Sequence, residues 1–310
     1  MSQQDGVLVL NKPSGMTSAA CIARIKRGFG QKKIGHAGTL DPMAQGVLLV
    51  LLGQATKISG HLMDAGRKVY SGCIRLGVQT DTWDMEGAIL WEKPCAHVTA
   101  EAVQACMAEL VGTYEQEVPA YSAAKHEGKP LYALARKGIA TPVKTKIVTV
   151  FRGEAELVGL PLVRFRVECS SGTYVRSLAH SLGMRLGCGA ALEELTREYS
   201  HPFGLDRAVS LETLQSAPEG FAAHVAGIAD ALPDWPLVVA NKEETAGVCN
   251  GHPVAFARPG VSLGIVPGDA EFVEGQPALL VREDRTPLAL VQTARKNGQE
   301  VWAIVRGLWN

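Results

Sequence analysis

The spacing of apolar runs constrains this chain more than any other feature. GVLVLNKPSG (6–15) reads as a short strand stopped by a Pro-Ser-Gly turn. VLLVLLG (47–53), IVTVFRGEAEL (147–157) and LVRFRVECS (162–170) read as further strands, with others near Val69–Leu76 and Ala88–Trp91. The helical stretches between them are isolated. A parallel sheet needs regular strand–helix–strand alternation, so the pattern predicts an α+β fold with a mixed, mainly antiparallel sheet.

Local signals place the helices. Thr17 or Ser18 can cap a helix through about Arg27, whose basic end suits the helix dipole. TAEAVQACMAELV (99–111) has Thr99 as N-cap and apolar Val103, Met107, Leu110 and Val111 at helical spacing. A short helix is expected at Leu131–Lys137, and SGTYVRSLAHSLGMRLGCG reads as a turn entering a helix with a glycine-rich stop. After the proline-marked ALPDWPLV, the runs PVAFA, ALLVRE, PLALVQTA and EVWAIVRGL predict a small separate β-domain at 241–310, following a main domain at 1–240.

The 31 basic and 31 acidic residues cancel over the 310-residue chain, but not locally. Residues 1–60 carry seven basic and two acidic side chains, and 81–119 carry one against eight. Residues 120–150 carry six against one, and 211–310 seven against twelve. Two basic segments on one face would attract phosphates despite overall neutrality; the acidic C-terminal stretch would grip them poorly. No apolar run reaches membrane-spanning length, and MSQQDGVLVLNKPSG lacks the pattern of a secretion signal. A soluble, cytoplasmic protein without membrane contact is expected. The seven cysteines are scattered without C-x-x-C or zinc-ligand spacing, so reduced, mostly buried thiols are expected and no metal site.

Gly35-His36-Ala37-Gly38-Thr39-Leu40-Asp41-Pro42-Met43-Ala44-Gln45-Gly46 is the stretch richest in chemistry. Its glycines match neither the phosphate loop nor the dinucleotide fingerprint, so no nucleotide cofactor is implied. It offers one carboxylate, Asp41, held before a proline beside a histidine. Alone, Asp41 reads as a turn aspartate and His36 as a loop histidine.

Together with GVLLVLLGQATKI, this stretch resembles the catalytic motif of the TruB family of tRNA pseudouridine synthases. Asn11–Ser18 (NKPSGMTS) resembles the family's K-P-x-G motif, Arg67-Lys68-Val69-Tyr70 its tyrosine segment, and GVQTDTWDMEG its T-D-T-x-D-x-x-G. SAAKHEGKPLYALARKG resembles the tRNA-gripping insertion of stand-alone bacterial enzymes, placed at 120–150. CSSGTYVRSL resembles the arginine motif, and LGCGAALEELTRE the helix after it. The match runs over residues 7–210. One departure is Val118-Pro119-Ala120-Tyr121-Ser122, where the family usually shows P-P-x-Y-S; Ala120 replaces what is often a bulky apolar residue.

The resemblance implies a pseudouridine synthase catalytic domain with a basic insertion and a PUA-like C-terminal domain. It implies conversion of the uridine at position 55 of the tRNA T-loop to pseudouridine by base flipping, without cofactor, metal or guide RNA. Asp41 would be the nucleophile, Arg176 its ion-pair partner, and Tyr70 the residue stacking on the base. Lys12, His36, Gly38, Thr39 and Tyr174 would bind the RNA, and Lys125, Lys129, Arg136 and Lys137 would close over it. The partner would be the T-arm stem-loop, met by a monomer. A tRNA-folding chaperone without chemistry and a subunit of a guide-RNA particle are the rival readings. Binding alone has little need of Asp41, Tyr70 and Arg176, and the insertion disfavours a guide.

Overall fold

A computed structural model describes residues 2–64, 66–139, 141–256 and 272–309. Among these residues the larger sheet runs in the spatial order Val209–Ser210, Gly6–Lys12, Gln45–Leu52, Ala190–Ser200, Arg67–Leu76, Leu162–Ser170, Thr145–Gly159, Gly112–Glu117. The Gly6–Lys12 strand is parallel to Val209–Ser210, and Gln45–Leu52 is parallel to Ala190–Ser200; the other pairings on this path are antiparallel. The mixed, mainly antiparallel architecture expected from the spacing of the runs is therefore what forms.

The unbroken apolar run at 47–52 is explained by burial on both faces. Leu48, Val50 and Leu52 enter a core shared with Met107, Leu178 and Leu182, from the helices Ala100–Glu109 and Val175–Arg185. Val47, Leu49 and Leu51 enter a second core with Leu279, Val281, Leu290 and Leu308 from the C-terminal segment. Strand alternation thus sends odd and even residues of one run into different cores.

That segment builds a second sheet in the order Leu237–Ala240, Pro277–Arg282, Pro287–Lys296, Gln299–Gly307, Val254–Ala255. The first strand emerges directly from the proline-marked stretch that sequence alone suggests is a connection. Asn241 then caps the helix Lys242–Cys249 in a reciprocal box with Glu244. Of the β-domain expected at 241–310, residues 257–271, including the last residue of PVAFA, lie outside the described residues.

Local capping chemistry reads through faithfully. Thr17 accepts from Ala20 N at the start of the helix Ser18–Phe29, and Thr99 accepts from Ala102 N. One assignment is corrected. LGCGAALEELTRE forms no helix: the preceding helix ends at Arg185 with Leu186 as its C-cap, and Ala190–Ser200 is a strand in the middle of the large sheet. Its apolar spacing suits either period. The backbone hydrogen bonds available from Arg67–Leu76 on one side and Gln45–Leu52 on the other outweigh the helix propensity of Ala, Leu and Glu.

Candidate active site

Asp41 sits in the loop joining the strand Ile34–Ala37 to Gln45–Leu52. Two clamps hold this loop. The first is the N-terminal K-P-S-G-M-T-S segment. Lys12 Nζ donates to the carbonyls of Pro13 at 2.9 Å, Met16 at 2.5 Å and Pro42 at 3.2 Å. Gly15 N donates to Pro42 O at 2.8 Å, and Ser14 Oγ to Met43 O at 2.9 Å. Ser18 Oγ accepts from Leu40 N and donates to Leu40 O, each at 3.0 Å. The backbone on both sides of Asp41 is thereby fixed. Lys12 is fully buried, and burial pushes its ammonium below the usual lysine range. Its three protons end on carbonyls, so it holds the loop and faces no solvent.

The second clamp is Arg197, 1% exposed. Its Nε donates to Val47 O at 2.7 Å and its Nη2 to Gly38 O at 2.9 Å. The backbones of Arg197 and Gly46 lie side by side in parallel register. Gly46 has φ +100°, and a Cβ there would lie 2.3 Å from the Arg197 carbonyl oxygen. Gly46→Ala should therefore lower the unfolding free energy by about 2–4 kcal/mol through strain and overlap together. Urea denaturation followed by far-UV circular dichroism checks this; an unchanged midpoint would contradict the packing described.

Arg176 meets Asp41 side-on. Its Nε lies 2.9 Å from Asp41 Oδ2, and its Nη2 donates to Oδ1 at 3.3 Å. The guanidinium is 4% exposed, whereas the Asp41 carboxylate is 36% exposed, so a buried cation presents a carboxylate at the mouth of the site. Arg176 is aimed by Thr82 O and Tyr121 O, each accepting at 2.9 Å, and by Asp84 Oδ2 at 3.6 Å. Asp84 is itself buried; burial pushes its carboxyl up, while Thr82 Oγ1, donating at 2.7 Å, and Arg176 act in the opposite direction. The T-D-T-W-D segment therefore supplies the socket for Arg176. Trp83 in the same turn stacks on His180, with ring centroids 4.4 Å apart.

Tyr70 lies opposite Arg197 in the antiparallel register, and its phenol is within electrostatic reach of Arg197 and Asp41. Burial pushes that phenol up, so it stays a neutral hydroxyl across the physiological range. Lys68, two residues earlier on the same face of the strand, is 7% exposed. Burial first, then the Arg197 charge, lowers its ammonium to about 8. In the unfolded chain a lysine holds its proton to about 10.4. Between these two values the unfolded chain binds more protons, so raising the pH from 8 to 10 should stabilise the native protein relative to Lys68→Met. Parallel stability–pH curves for the two proteins would contradict the burial of this charge.

The structure thus gathers Asp41, Arg176, Tyr70, His36 and Gly38 around one loop. His36 is half-buried on the strand entering it, with an unpartnered Nδ1 and a pKa lowered by burial and then by Arg197. Thr39 is exposed beside Asp41. Tyr174, at the N-cap of the arginine helix, is half-buried, and its backbone N donates to Gln116 Oε1 at 2.8 Å. Lys125, Lys129, Arg136 and Lys137 are exposed on a separate segment, and none is in an ion pair among the described residues. Among the described residues no cluster of three His, Cys, Asp or Glu side chains could hold a metal ion. Lys68, Asp84 and Arg197 were within reach of a sequence reading only as neighbours in quoted motifs, since their roles depend on contacts far along the chain.

Residues 26–175 match the family model described as TruB family pseudouridylate synthase (N terminal domain). A "tRNA pseudouridine synthase B" of Nitratidesulfovibrio vulgaris (Hildenborough) is 57% identical over 308 residues, covering 99% of each chain. This chain belongs to the TruB family. A "tRNA pseudouridine synthase B" of Oleidesulfovibrio alaskensis is 56% identical, over 100% of this chain and 98% of the relative. Among solved structures, a chain of a Cbf5-Nop10-Gar1 complex superimposes with a TM-score of 0.72 at 25% identity, over 99% of this TruB chain and 85% of that one. A chain of an H/ACA RNP bound to a substrate RNA containing 2′-deoxyuridine gives 0.71 at 24% identity, over 98% and 85%, and shares the fold.

Proposed function

We propose that this TruB family member converts the uridine at position 55 of the tRNA T-loop to pseudouridine. The bond from ribose C1′ to N1 breaks, the base rotates, and C1′ bonds to C5. The C5 proton leaves and N1 gains one, so product and substrate are isomers. The observation that carries this reading is the Asp41–Arg176 ion pair: a solvent-facing carboxylate backed by a buried arginine. Asp41 is the nucleophile, and Arg176 pairs with it and aims it. Tyr70 stacks on the base, and its neutral phenol can relay the C5 proton. A uridine inside a folded arm must be flipped out to reach Asp41. His36, next to that opening, holds the rearranged loop.

The relatives named tRNA pseudouridine synthase B support a stand-alone enzyme acting on tRNA without a guide. The exposed cations Lys125, Lys129, Arg136 and Lys137, in no ion pair among the described residues, supply the grip on phosphates. Neutralising all four should weaken tRNA binding about 10- to 100-fold and reduce the slope of log Kd against log salt by about three. Filter binding across a salt series reads both, and an unchanged slope would remove the insertion from the interface. We further propose that the C-terminal PUA-like unit starts at Leu237, which pairs into its sheet, and that the enzyme is a cytoplasmic monomer.

The reading is tested by incubating pure protein with an unmodified tRNA transcript, without guide or metal, and mapping pseudouridine chemically. Label at uridine 55 alone is expected. Tight binding without label would favour a chaperone, and label elsewhere would reject the site assignment.

A further inference from the structure

Lys68 and Arg197 are two buried cations for which the isomerisation provides no anion. Lys68 is 7% exposed and Arg197 1%. Among the described residues neither has a carboxylate within ion-pair distance, and the Lys68 ammonium has no hydrogen-bond acceptor. Arg197 commits Nε and Nη2 to carbonyl oxygens of Val47 and Gly38, which carry no net charge. Of the charges around Lys68 the largest effect comes from Arg197, which together with Lys146 acts to lower its pKa, while Cys169 and Asp64 act to raise it. An isolated buried ion is costly, and two of like sign near each other are more so.

Both cations converge on one place. A Cβ built on Gly38 would lie 3.4 Å from Arg197 Nη1 and 3.7 Å from Lys68 Nζ. Gly38 has φ +81°, and with no side chain it lets both cations face its backbone directly. Lys146 is exposed, and its Nζ lies over Gly172, in the turn that leads to Tyr174 and Arg176. The result is a cradle with two deep cations and one rim cation, three residues before Asp41 and on the same strand face as Tyr70.

A neutral carbonyl would satisfy one donor here without offsetting either charge. A phosphodiester carries one negative charge on two free oxygens, one for each deep cation. We propose that the Gly38–Lys68–Arg197 cradle binds the phosphodiester adjacent to the flipped target uridine. This rests on the pseudouridine synthase reading of Asp41. It makes Lys68 a positioning residue: the strand that carries Tyr70 beneath the base also carries the cation that fixes its backbone.

The test is a double-mutant cycle between protein and RNA. T-arm stem-loops are made with natural phosphates, or with one uncharged methylphosphonate immediately 5′ or immediately 3′ of the target uridine. Wild type, Lys68→Met and Lys68→Arg are compared on each, by Kd and by single-turnover rate. Loss of one charged hydrogen-bonded contact should weaken Lys68→Met about 10- to 100-fold on natural RNA. The methylphosphonate on one side should weaken wild type similarly, yet change Lys68→Met less than about twofold, because the partner is already gone. Lys68→Arg should restore most of the binding, and the salt slope of Lys68→Met should fall by about one. Losses that simply multiply at both flanking phosphates would overturn the cradle, as would Lys68→Met binding natural RNA like wild type. Failure of the wild-type enzyme to modify natural RNA at all would instead reject the underlying function, so the two failures are distinguishable.

Discussion

Asp41→Asn should bind the T-arm stem-loop within a few-fold of wild type and form pseudouridine at least about 10³-fold more slowly. The substitution keeps size and shape, and the loop backbone is held independently by Lys12, Ser14, Ser18 and Arg197. Only the charge and the nucleophilic oxygen are lost. Single-turnover mapping of pseudouridine beside a binding isotherm separates the two effects. A variant that bound poorly would show that Asp41 holds the RNA, and one that stayed fast would move the chemistry elsewhere.

Arg176→Met should lose both activity and stability. Asp84, buried at 4% exposure, would keep no cationic partner within ion-pair distance among the described residues, and the carbonyls of Thr82 and Tyr121 would each lose a donor. Breaking a buried ion pair from one side costs about 3–5 kcal/mol, which should appear as a lowered urea midpoint. Arg176→Lys is the informative companion. It restores a charge but cannot reach two carbonyls and two carboxylates from one planar fork, so it should recover part of the stability while turnover stays at least about 10²-fold down. Full recovery by lysine would show that charge alone matters and that the side-on geometry at Asp41 does not.

Features governed by neighbours in sequence were legible. The caps at Thr17 and Thr99, the alternation of strands around 147–170 and the turn before Arg176 all follow from local chemistry, and the structure contains each of them. Contacts between distant segments were not. Lys12 stands before a proline and a glycine in a basic N-terminal region and reads as a cation facing RNA. Its burial is decided by Pro42, 30 residues on, whose carbonyl it needs to hold the Asp41 loop. The family resemblance places AALEELTRE in a helix, and the two flanking strands make it the strand that delivers Arg197. Leu237–Ala240 is hidden behind prolines because its pairing partner is the segment Pro277–Arg282. Asp41, Tyr70 and Arg176 stood out only through the family resemblance; they are far apart in sequence, and the fold brings them together.

In the reaction proposed above, Asp41 attacks a flipped uridine at the mouth of the Arg176 socket. The most direct measurement is a crystal structure of the enzyme with a T-arm stem-loop carrying 5-fluorouridine at position 55. Fluorine replaces the C5 proton that must leave, so the reaction should stall on the enzyme. The base should lie out of the helical stack, packed against Tyr70, with a carboxylate oxygen of Asp41 bonded to the nucleotide or within about 3.5 Å of its reacting carbon. A stacked, unflipped uridine, or one seated with Asp41 pointing away from both ribose and base, would contradict it.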